Sequence, residues 1–274
     1  MKHIVVTSDW HLDWMTAGVE RFGDVSEAAL AVAEAAVDLD ASLFLFLGDL
    51  SNPSGARSYR AIASALKIAT FLFENGVASL WLTGNHDVIE DGHGSNTLMP
   101  IVAAGRGTVA ACARLYSVGQ FDILCLPFTP RSHAYDPEEE VVKAHAAKAD
   151  VAIIAGHLCI AGTHPGSETA DMPRGREVMF PYDTCRKLYP NAVLLNGHYH
   201  EQQVFRGKSK RLKQGIHIPG SLERMTFGEE DGDKGFLVIG IDDGNKQTKA
   251  TGQEAQSVSG RNSGSSADIA HGPA

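Results

Sequence analysis

The sequence of 274 residues contains no long apolar run and comparatively few basic side chains. No window approaches the roughly 18 apolar residues that a membrane-spanning helix needs. The apolar start at Met1–Val6 is too short for the core of a signal peptide. The 24 Lys and Arg residues face 33 Asp and Glu residues, so the net charge of −9 disfavours whole-molecule attraction to nucleic acid but allows a local basic patch. We therefore expect a cytoplasmic protein without a membrane partner.

The four cysteines also lack the spacing of a metal or redox motif. Cys112, Cys125, Cys159 and Cys185 form no Cys-x-x-Cys pair. Paired cysteines of that kind mark many structural zinc sites and thioredoxin-like redox sites. We predict free, mostly buried thiols in a reducing compartment.

Short apolar runs alternate with helix-like stretches along the chain. Three stretches carry helical spacing or helix-start signals and are predicted to be helices: Val25–Leu39, Arg57–Asn75 and Glu138–Ala149. Strands that alternate with helices indicate an α/β fold. Because the part after about residue 190 is rich in strands, we expect one sheet packed on another, with helices outside. The runs predicted to be buried strands are Ile4–Thr7, Ser42–Leu47, Ala78–Leu82, Ile123–Leu126, Val151–Ala155, Ala192–Leu195, Ile216–Ile218 and Phe236–Ile241.

The composition changes near the C-terminus. From about Asp242 onwards Gly, Ser, Asn, Gln and Lys dominate, and residues 252–274 hold almost no large apolar side chains. Such a segment cannot bury enough apolar surface to offset the entropy of ordering the chain. We expect residues 1–243 to form one domain and residues 244–274 to form a disordered tail.

Five short polar clusters stand where predicted strands end. The carboxyl ends of strands are where α/β enzymes place their sites. Asp, Asn and His supply oxygen and imidazole donors that suit Mn²⁺, Fe or Zn²⁺, and adjacent glycines allow sharp turns. The sequence therefore predicts a metal centre built from several strand ends. The clusters are Asp9-Trp10-His11, Gly48-Asp49, Gly84-Asn85-His86-Asp87, Gly156-His157 and Gly197-His198-Tyr199-His200.

Asp49 is the predicted bridge between two metal ions, because it ends the strongly apolar run Leu43–Leu47. Two cations about 3.5–4 Å apart would polarise a phosphoryl group and generate hydroxide at neutral pH. Taken alone, Asp49 could equally be a helix N-cap or a turn residue, and a single histidine at a strand end is more often structural. Five such clusters in one chain favour hydrolysis of a phosphate ester, with a phosphodiester as the expected substrate.

In this order, the clusters resemble the calcineurin-like metallophosphoesterase superfamily over roughly residues 3–241. The resemblance implies a four-layer fold, in which a two-sheet β-sandwich is flanked by helices. It implies that His86 contacts the phosphate and protonates the leaving group, so that His86 and Asp49 are the catalytic residues. Two divalent ions are expected, Mn²⁺ first and Fe or Zn²⁺ as alternatives. The implied ligands are Asp9, His11 and His200 for the first metal, Asn85, His157 and His198 for the second, and Asp49 for both.

Two motifs outside the metal clusters resemble those of the SbcD/Mre11 DNA-repair nucleases. This likeness implies a metal-dependent DNA nuclease, exonuclease or endonuclease, that acts in DNA repair and recombination. A small-molecule or cyclic-nucleotide phosphodiesterase or phosphatase of the same superfamily is the alternative. An inactive scaffold is disfavoured, because the ligand set is intact. The motifs are Leu158-Cys159-Ile160-Ala161-Gly162 with Gly166-Ser167-Glu168, and Pro219-Gly220-Ser221-Leu222-Glu223-Arg224 with Phe227-Gly228-Glu229-Glu230 and Lys234-Gly235-Phe236.

Three features depart from that nuclease pattern. Asp13 stands where members often carry Gly, and Asn52 stands where they carry His or Asp. From the length after the phosphoesterase core, we expect neither the family's DNA-capping domain nor the segment that docks on the partner ATPase. The resemblance implies DNA as a partner, and it suggests an SbcC/Rad50-like ATPase although we do not expect the usual docking segment.

The densest basic stretch follows the last metal cluster. Lys208, Lys210, Arg211 and Lys213, preceded by Arg206, lie between two predicted strands. The stretch is either a solvated hairpin tip or a contact with the phosphate backbone of DNA beside the metals. On the second interpretation, these four residues are the candidate DNA-binding residues.

Four further residues stand near the clusters. Trp10 and Tyr199 alternate with metal-binding residues, so their side chains should point away from the ions and pack in the interior. Arg174 and Arg176 are either ordinary loop charges or clamps on the substrate.

Overall fold

The apolar runs assemble into two six-stranded sheets. The protein is described by a computed structural model over residues 2–51, 59–89, 93–130, 133–163, 178–206, 215–229, 234–241 and 254–257. The helices are α1 Phe22–Asp38, α2 Tyr59–Glu74, α3 Met99–Ala103, α4 Pro137–Ala146 and α5 Tyr182–Leu188, and a short 3-10 helix spans Phe227–Glu229. The strands are β1 Lys2–Thr7, β2 Met15–Thr16, β3 Val19–Glu20, β4 Leu43–Phe46, β5 Ser79–Leu82, β6 Thr108–Ala110, β7 Arg114–Val118, β8 Phe121–Leu126, β9 Ile153–Gly156, β10 Val193–Asn196, β11 Gln203–Phe205, β12 Ile216–Ile218, β13 Gly235–Ile241 and β14 Glu254–Ser257.

Each large sheet has four neighbouring parallel strands. The first sheet has the order β14-β13-β1-β4-β5-β6, and β1, β4, β5 and β6 run parallel. The second has the order β11-β12-β10-β9-β8-β7, and β12, β10, β9 and β8 run parallel. Strands β2 and β3 form a separate two-stranded hairpin. Since parallel strands end at one edge of a sheet, each sheet collects several loops there.

The central strands are apolar on both faces, which is why their sequences read as continuous apolar runs. In β1, Val5 faces the helices, whereas Ile4 and Val6 face the other sheet. In β4, Phe44 faces the helices and Leu45 faces the other sheet. This alternation follows from the two-residue period of a strand, and it gives each sheet two buried surfaces.

Three apolar clusters fill the spaces between four layers. The first lies between the first sheet and helices α1, α2 and α3, the second lies between the two sheets, and the third lies between the second sheet and helices α4 and α5. Helices outside two packed sheets give the four-layer α/β arrangement expected from the sequence, so the predicted fold class is confirmed. The Trp10 ring packs 4.7 Å from the Phe46 ring in the first cluster, and Trp10 Nε1 donates to Thr7 Oγ1 at 2.8 Å.

The eight predicted strands and three predicted helices are present, with shifted ends. The start of the second predicted helix, at Arg57, lies outside the described residues. Among the described residues, eight strands and α-helices were not predicted, namely β2, β3, β6, β7, β11, β14, α3 and α5, and neither was the 3-10 helix. Strands of two or three residues carry too few positions to show a period. The turn between β7 and β8 has Gly119 at φ 60°, a conformation that glycine adopts without steric cost.

Strand β14 falls within the predicted tail. Glu254–Ser257 pairs antiparallel with β13, Val238 opposite Glu254. Ladder hydrogen bonds to the edge of β13 need no apolar side chains, and the disordered tail stays a prediction. The rest of residues 244–274 lies outside the described residues, and the domain boundary at 243 stays a prediction.

Two expectations from the composition concern the cysteines and the length of the apolar segments. None of the four cysteines forms a disulfide: Cys125 and Cys185 are buried, Cys159 is half-buried and Cys112 is exposed. No helix within the described ranges is long and apolar enough to cross a membrane.

Candidate metal centre

The predicted site residues meet where both sheets end. Asp9 and His11 follow β1, Asp49 follows β4, and Asn85 and His86 follow β5 in the first sheet. The second sheet contributes His157 after β9, and His198 and His200 after β10. Because the two sheets pack face to face with their carboxyl edges together, all eight side chains converge on one region.

The loops that carry these residues have unusual backbone conformations. Asp9, His11, Asp49 and His198 have φ values of 52°, 42°, 63° and 79°. Positive φ is uncommon for residues other than glycine, and such strain concentrates at functional sites. A Cβ atom at Gly84 would lie 2.1 Å from Asp49 Oδ1, so only glycine allows the β5 loop to approach this carboxylate.

Three of the histidines present Nε2 to the site. His11 Nδ1 donates to the Ser51 carbonyl at 2.9 Å, and His157 Nδ1 donates to the Leu47 carbonyl at 2.6 Å. His200 Nδ1 faces Glu229 Oε1 at 3.5 Å. A bond at one ring nitrogen fixes the tautomer and orientation of a histidine, and it leaves the other nitrogen available as a metal ligand.

The first donor set consists of Asp9, His11 and His200, all buried. His200 Nε2 lies 3.0 Å from His11 Nε2. Asp9 Oδ1 is buried without a hydrogen-bond partner among the described residues. A buried carboxylate oxygen without a donor is costly, and a cation between these three groups would satisfy it. The donor set fits a divalent metal ion.

The second donor set consists of Asp49, His157 and His198, with Asn85 among them. Asn85 Oδ1 lies 3.1 Å from His157 Nε2 and 3.0 Å from His198 Nδ1. Unlike the other three histidines, His198 turns Nδ1 to the centre, and its Nε2 lies 3.4 Å from Cys159 Sγ. Two imidazoles, a carboxylate and an amide oxygen form a second set suited to a divalent cation.

Asp49 belongs to the second donor set and also groups with His11 of the first set and with His86. Its Oδ2 atom is 3.3 Å from His157 Nε2, 3.6 Å from His86 Nε2 and 3.8 Å from His11 Nε2. Its Oδ1 atom accepts a hydrogen bond from the His86 backbone N–H at 3.0 Å. The helix that follows, α2, begins ten residues later in the described chain, so Asp49 is not its N-cap. The Asp49 carboxylate is therefore close to histidines of both donor sets.

Burial and neighbouring charges move the pKa values of these groups in opposite directions. Burial raises the pKa of Asp9 to about 7, and the Asp49 charge adds to the effect. Burial lowers the pKa of His198 to about 3, and His157 lowers it further. Burial also disfavours a charged His157, but the Asp49 carboxylate outweighs this and raises the pKa of His157 to about 9. Protons and metal ions therefore compete for these donors.

His86 stands at the open side of the centre. Its side chain is 19% exposed, whereas the side chains of His11, Asp49 and His157 are almost completely buried. Its ring centroid lies 5.0 Å from that of His11. A partly exposed imidazole beside the donor sets can contact a molecule that enters from solvent.

Two supporting carboxylates received no role from the sequence. Buried Asp87 accepts hydrogen bonds from the backbone N–H groups of Asp49, Gly84 and Leu50, at 2.8, 2.8 and 3.0 Å, and from Thr97 Oγ1 at 2.7 Å. The sequence feature that could have indicated a role for Asp87 is its place directly after Asn85-His86.

The second supporting carboxylate, Glu229, faces His200. Burial opposes its ionisation, but His200 and Lys234 outweigh this and hold the pKa of Glu229 well below its usual range. The motif Phe227-Gly228-Glu229-Glu230 contained Glu229, but nothing in the sequence connected it with His200.

Several predicted residues lie away from the centre or outside the described residues. Lys208, Lys210, Arg211 and Lys213 lie outside, as do Arg174, Arg176 and Asn52, whereas Arg206 is exposed after β11. Asp13 is partly exposed. Trp10 and Tyr199 are buried packing residues, as predicted, and the Tyr199 hydroxyl accepts from the Ile160 backbone N–H at 2.7 Å.

Comparison with known proteins found two similar solved structures and one matching family model. The solved structure of TT1561 of Thermus thermophilus is 13% identical, with a TM-score of 0.47 over 80% of this chain and 89% of that one. A second solved structure is 12% identical, with a TM-score of 0.50 over 87% of this chain and 94% of that one, which is a likeness of fold alone. The family model described as calcineurin-like phosphoesterase matches residues 2–202, well over half of the chain and all but the last strands of the two sheets. The chain belongs to the calcineurin-like phosphoesterase family, whose members are metal-dependent hydrolases.

Proposed function

We propose that the protein is a two-metal phosphodiesterase that cleaves DNA, with Asp49 shared between the metals. One observation carries the proposal: Asp49 Oδ2 lies within 3.8 Å of imidazole nitrogens from three separate loops, so that Asp49 belongs to the second buried donor set and also borders the first. Two cations held there would polarise a phosphoryl group and acidify water. This is the chemistry that phosphate-ester hydrolysis needs at neutral pH.

The residues of the chain have separate tasks in this scheme. Asp9, His11 and His200 hold the first cation, and Asn85, His157 and His198 hold the second. His86 contacts the phosphate and donates a proton to the leaving oxygen, because it is the partly exposed imidazole of the centre. The backbone N–H of His86, which donates to Asp49 Oδ1, keeps this histidine beside the shared carboxylate.

The nuclease assignment is supported by the motif that follows the last metal histidine. Three polar residues of the motif gather around His200, although they are distant from it in the sequence. The Ser221 backbone N–H donates to the His200 carbonyl at 3.1 Å, Lys234 Nζ donates to the same carbonyl at 2.9 Å, and Glu229 faces the His200 ring. The stretch that resembles SbcD/Mre11 nucleases thus takes part in the centre, which favours a related activity.

Mn²⁺ is the proposed metal, because four imidazole nitrogens together with two carboxylates and an amide oxygen form a borderline-hard set. Lys208, Lys210, Arg211 and Lys213 are proposed to contact the DNA backbone. We place the activity in the cytoplasm, in DNA repair or recombination, and an SbcC/Rad50-like ATPase is the protein partner that the resemblance suggests.

A comparison of substrates tests the proposal. The Mn²⁺-loaded protein is offered single-stranded and double-stranded DNA, cyclic nucleotides and bis-p-nitrophenyl phosphate. We expect cleavage of DNA and of bis-p-nitrophenyl phosphate, with loss of both after chelation. Hydrolysis of a cyclic nucleotide without any cleavage of DNA would replace the nuclease by the small-molecule diesterase. No hydrolysis of any diester would contradict both.

A further inference from the structure

The His200 ring is supported differently from the other two histidines that present Nε2. His11 and His157 each donate Nδ1–H to a neutral backbone carbonyl, from Ser51 and Leu47. His200 Nδ1 instead faces a carboxylate, with Glu229 Oε1 at 3.5 Å. A carboxylate behind a metal-binding histidine makes its other nitrogen a stronger ligand than a neutral carbonyl does.

Glu229 is itself held in place by a buried cation. Lys234 is 8% exposed, and its Nζ donates to Glu229 Oε2 at 2.5 Å. The Met225 backbone N–H donates to the same oxygen at 3.3 Å. With Oε2 occupied in this way, Oε1 is directed at the His200 ring. Thr226 Oγ1, which donates to Oε1 at 3.3 Å, fixes that oxygen further.

Lys234 also fixes the backbone of His200. Its Nζ donates to the His200 carbonyl at 2.9 Å and to Ser221 Oγ at 2.8 Å. One buried ion pair therefore holds both ends of a single candidate ligand, since Glu229 supports the ring and Lys234 supports the main chain. No other histidine of the centre contacts a buried ion pair of this kind within the described part of the chain.

We infer that Glu229 and Lys234 form a positioning pair that sets the metal affinity of the first donor set through His200. The inference rests on the two-metal centre of the proposed function. It divides that centre into two unequal halves, because among the described residues the second donor set of Asp49, His157 and His198 has no such support. Loss of the pair should weaken one metal site and leave the other unchanged.

Metal binding measured by calorimetry tests the inference. Chelator-stripped full-length protein is titrated with Mn²⁺, as wild type and as Glu229→Ala, Glu229→Gln and Lys234→Met. We expect Glu229→Ala to weaken one of the two binding events about 10- to 100-fold and to leave the other within about twofold. Glu229→Gln should lose less, because its amide oxygen can still accept a hydrogen bond from the ring.

Arg186→Met is the matched control for a merely structural effect. Arg186 is a buried cation, 3% exposed, that donates to the carbonyls of Ala192 at 2.9 Å and Gly215 at 2.8 Å, away from the donor sets. This variant should lower the melting temperature and leave both Mn²⁺ affinities unchanged. Equal weakening of both sites in Glu229→Ala, or of neither, would overturn the inference.

A double variant tests whether Glu229 acts through His200. In His200→Ala, the added change Glu229→Gln should alter Mn²⁺ binding no further, because the positioned ring is already absent. An additional loss would show that Glu229 acts by another route and would overturn the inference. If wild type binds two ions but cleaves no diester, the proposed function fails while the positioning role stands. If wild type binds no ion, both fail.

Discussion

Asp87 accepts the backbone N–H of Asp49 at 2.8 Å, so one buried carboxylate holds the main chain of the candidate bridging residue. Asp87 also accepts from Gly84 N, Leu50 N and Thr97 Oγ1. We predict that Asp87→Ala lowers the free energy of unfolding by at least about 3 kcal/mol, because each buried donor left unsatisfied costs about 1–3 kcal/mol. Urea unfolding in the presence of a chelator measures the change.

Thr97→Val is the control for Asp87. It removes one of the four hydrogen bonds and should cost about 1 kcal/mol. Equal losses for the two variants would mean that the carboxylate does not organise the Asp49 and Gly84 loops.

The position of Asp49 beside both donor sets predicts that replacing this carboxylate lowers the metal content of the protein. After Mn²⁺ loading and gel filtration, wild type should retain two ions per chain, whereas Asp49→Asn should retain fewer, because a carboxylate is needed between two cations. Metal content is measured by mass spectrometry. Glu34→Gln, which changes an exposed carboxylate on α1, should retain as much metal as wild type. Fewer than about one ion in wild type, with no loss in Asp49→Asn, would contradict the two-metal centre.

The role of His86 predicts a dependence on the leaving group. His86→Ala should lower turnover of poor leaving groups by about 10²- to 10⁴-fold, the usual contribution of general acid catalysis. The loss should be smaller for p-nitrophenyl esters, whose leaving group needs little protonation. Both metals should stay bound. Equal losses for good and poor leaving groups would indicate that His86 only positions the phosphate, and loss of metal would make it a ligand.

The basic stretch predicts a change in salt dependence. Replacing Lys208, Lys210, Arg211 and Lys213 with Gln should weaken DNA binding, and the log–log salt slope should fall by about 0.7–0.9 for each lost contact. Hydrolysis of bis-p-nitrophenyl phosphate should barely change. The matched control replaces four lysines elsewhere on the surface, Lys67, Lys143, Lys148 and Lys187. An unchanged slope in the first variant would make the stretch a solvated loop.

The buried thiols predict an order of reactivity. The thiolate is the reactive form, and burial raises the pKa of Cys185 to about 12 and that of Cys125 still further. Because pH 8 lies well below both pKa values, the thiols of Cys125 and Cys185 stay protonated. A disulfide reagent at that pH should therefore label exposed Cys112 first and reach Cys125 and Cys185 only after unfolding. Rapid labelling of all four thiols in the folded protein would contradict the described burial.

The sequence was informative where one local signal was strong. The runs in β1, β4, β5, β9 and β10 were recognisable because both faces of these strands are buried, and the polar clusters followed directly from where the runs end. Asp49 could be chosen as the bridge from its place after β4. The structure brings it beside both donor sets, while its role as a metal bridge stays a proposal.

The supporting residues Asp87 and Glu229 could not be predicted from the sequence, because their roles depend on contacts with other segments of the chain. Asp87 accepts hydrogen bonds from the loop after β4 and from its own connection between β5 and α3. Glu229 faces His200 although strands β11 and β12 lie between them in the sequence. Short elements such as β2 and α3 were missed for a related reason, since their conformation depends on their neighbours more than on their own periodicity.

Each donor set takes residues from both sheets. The first combines Asp9 and His11 with His200, and the second combines Asp49 and Asn85 with His157 and His198. An ion bound by either set would therefore have ligands from both sheets, and the sheets could separate only after the ion had dissociated. By mass action, free metal then stabilises the whole sandwich. The metal centre would therefore also stabilise the folded state.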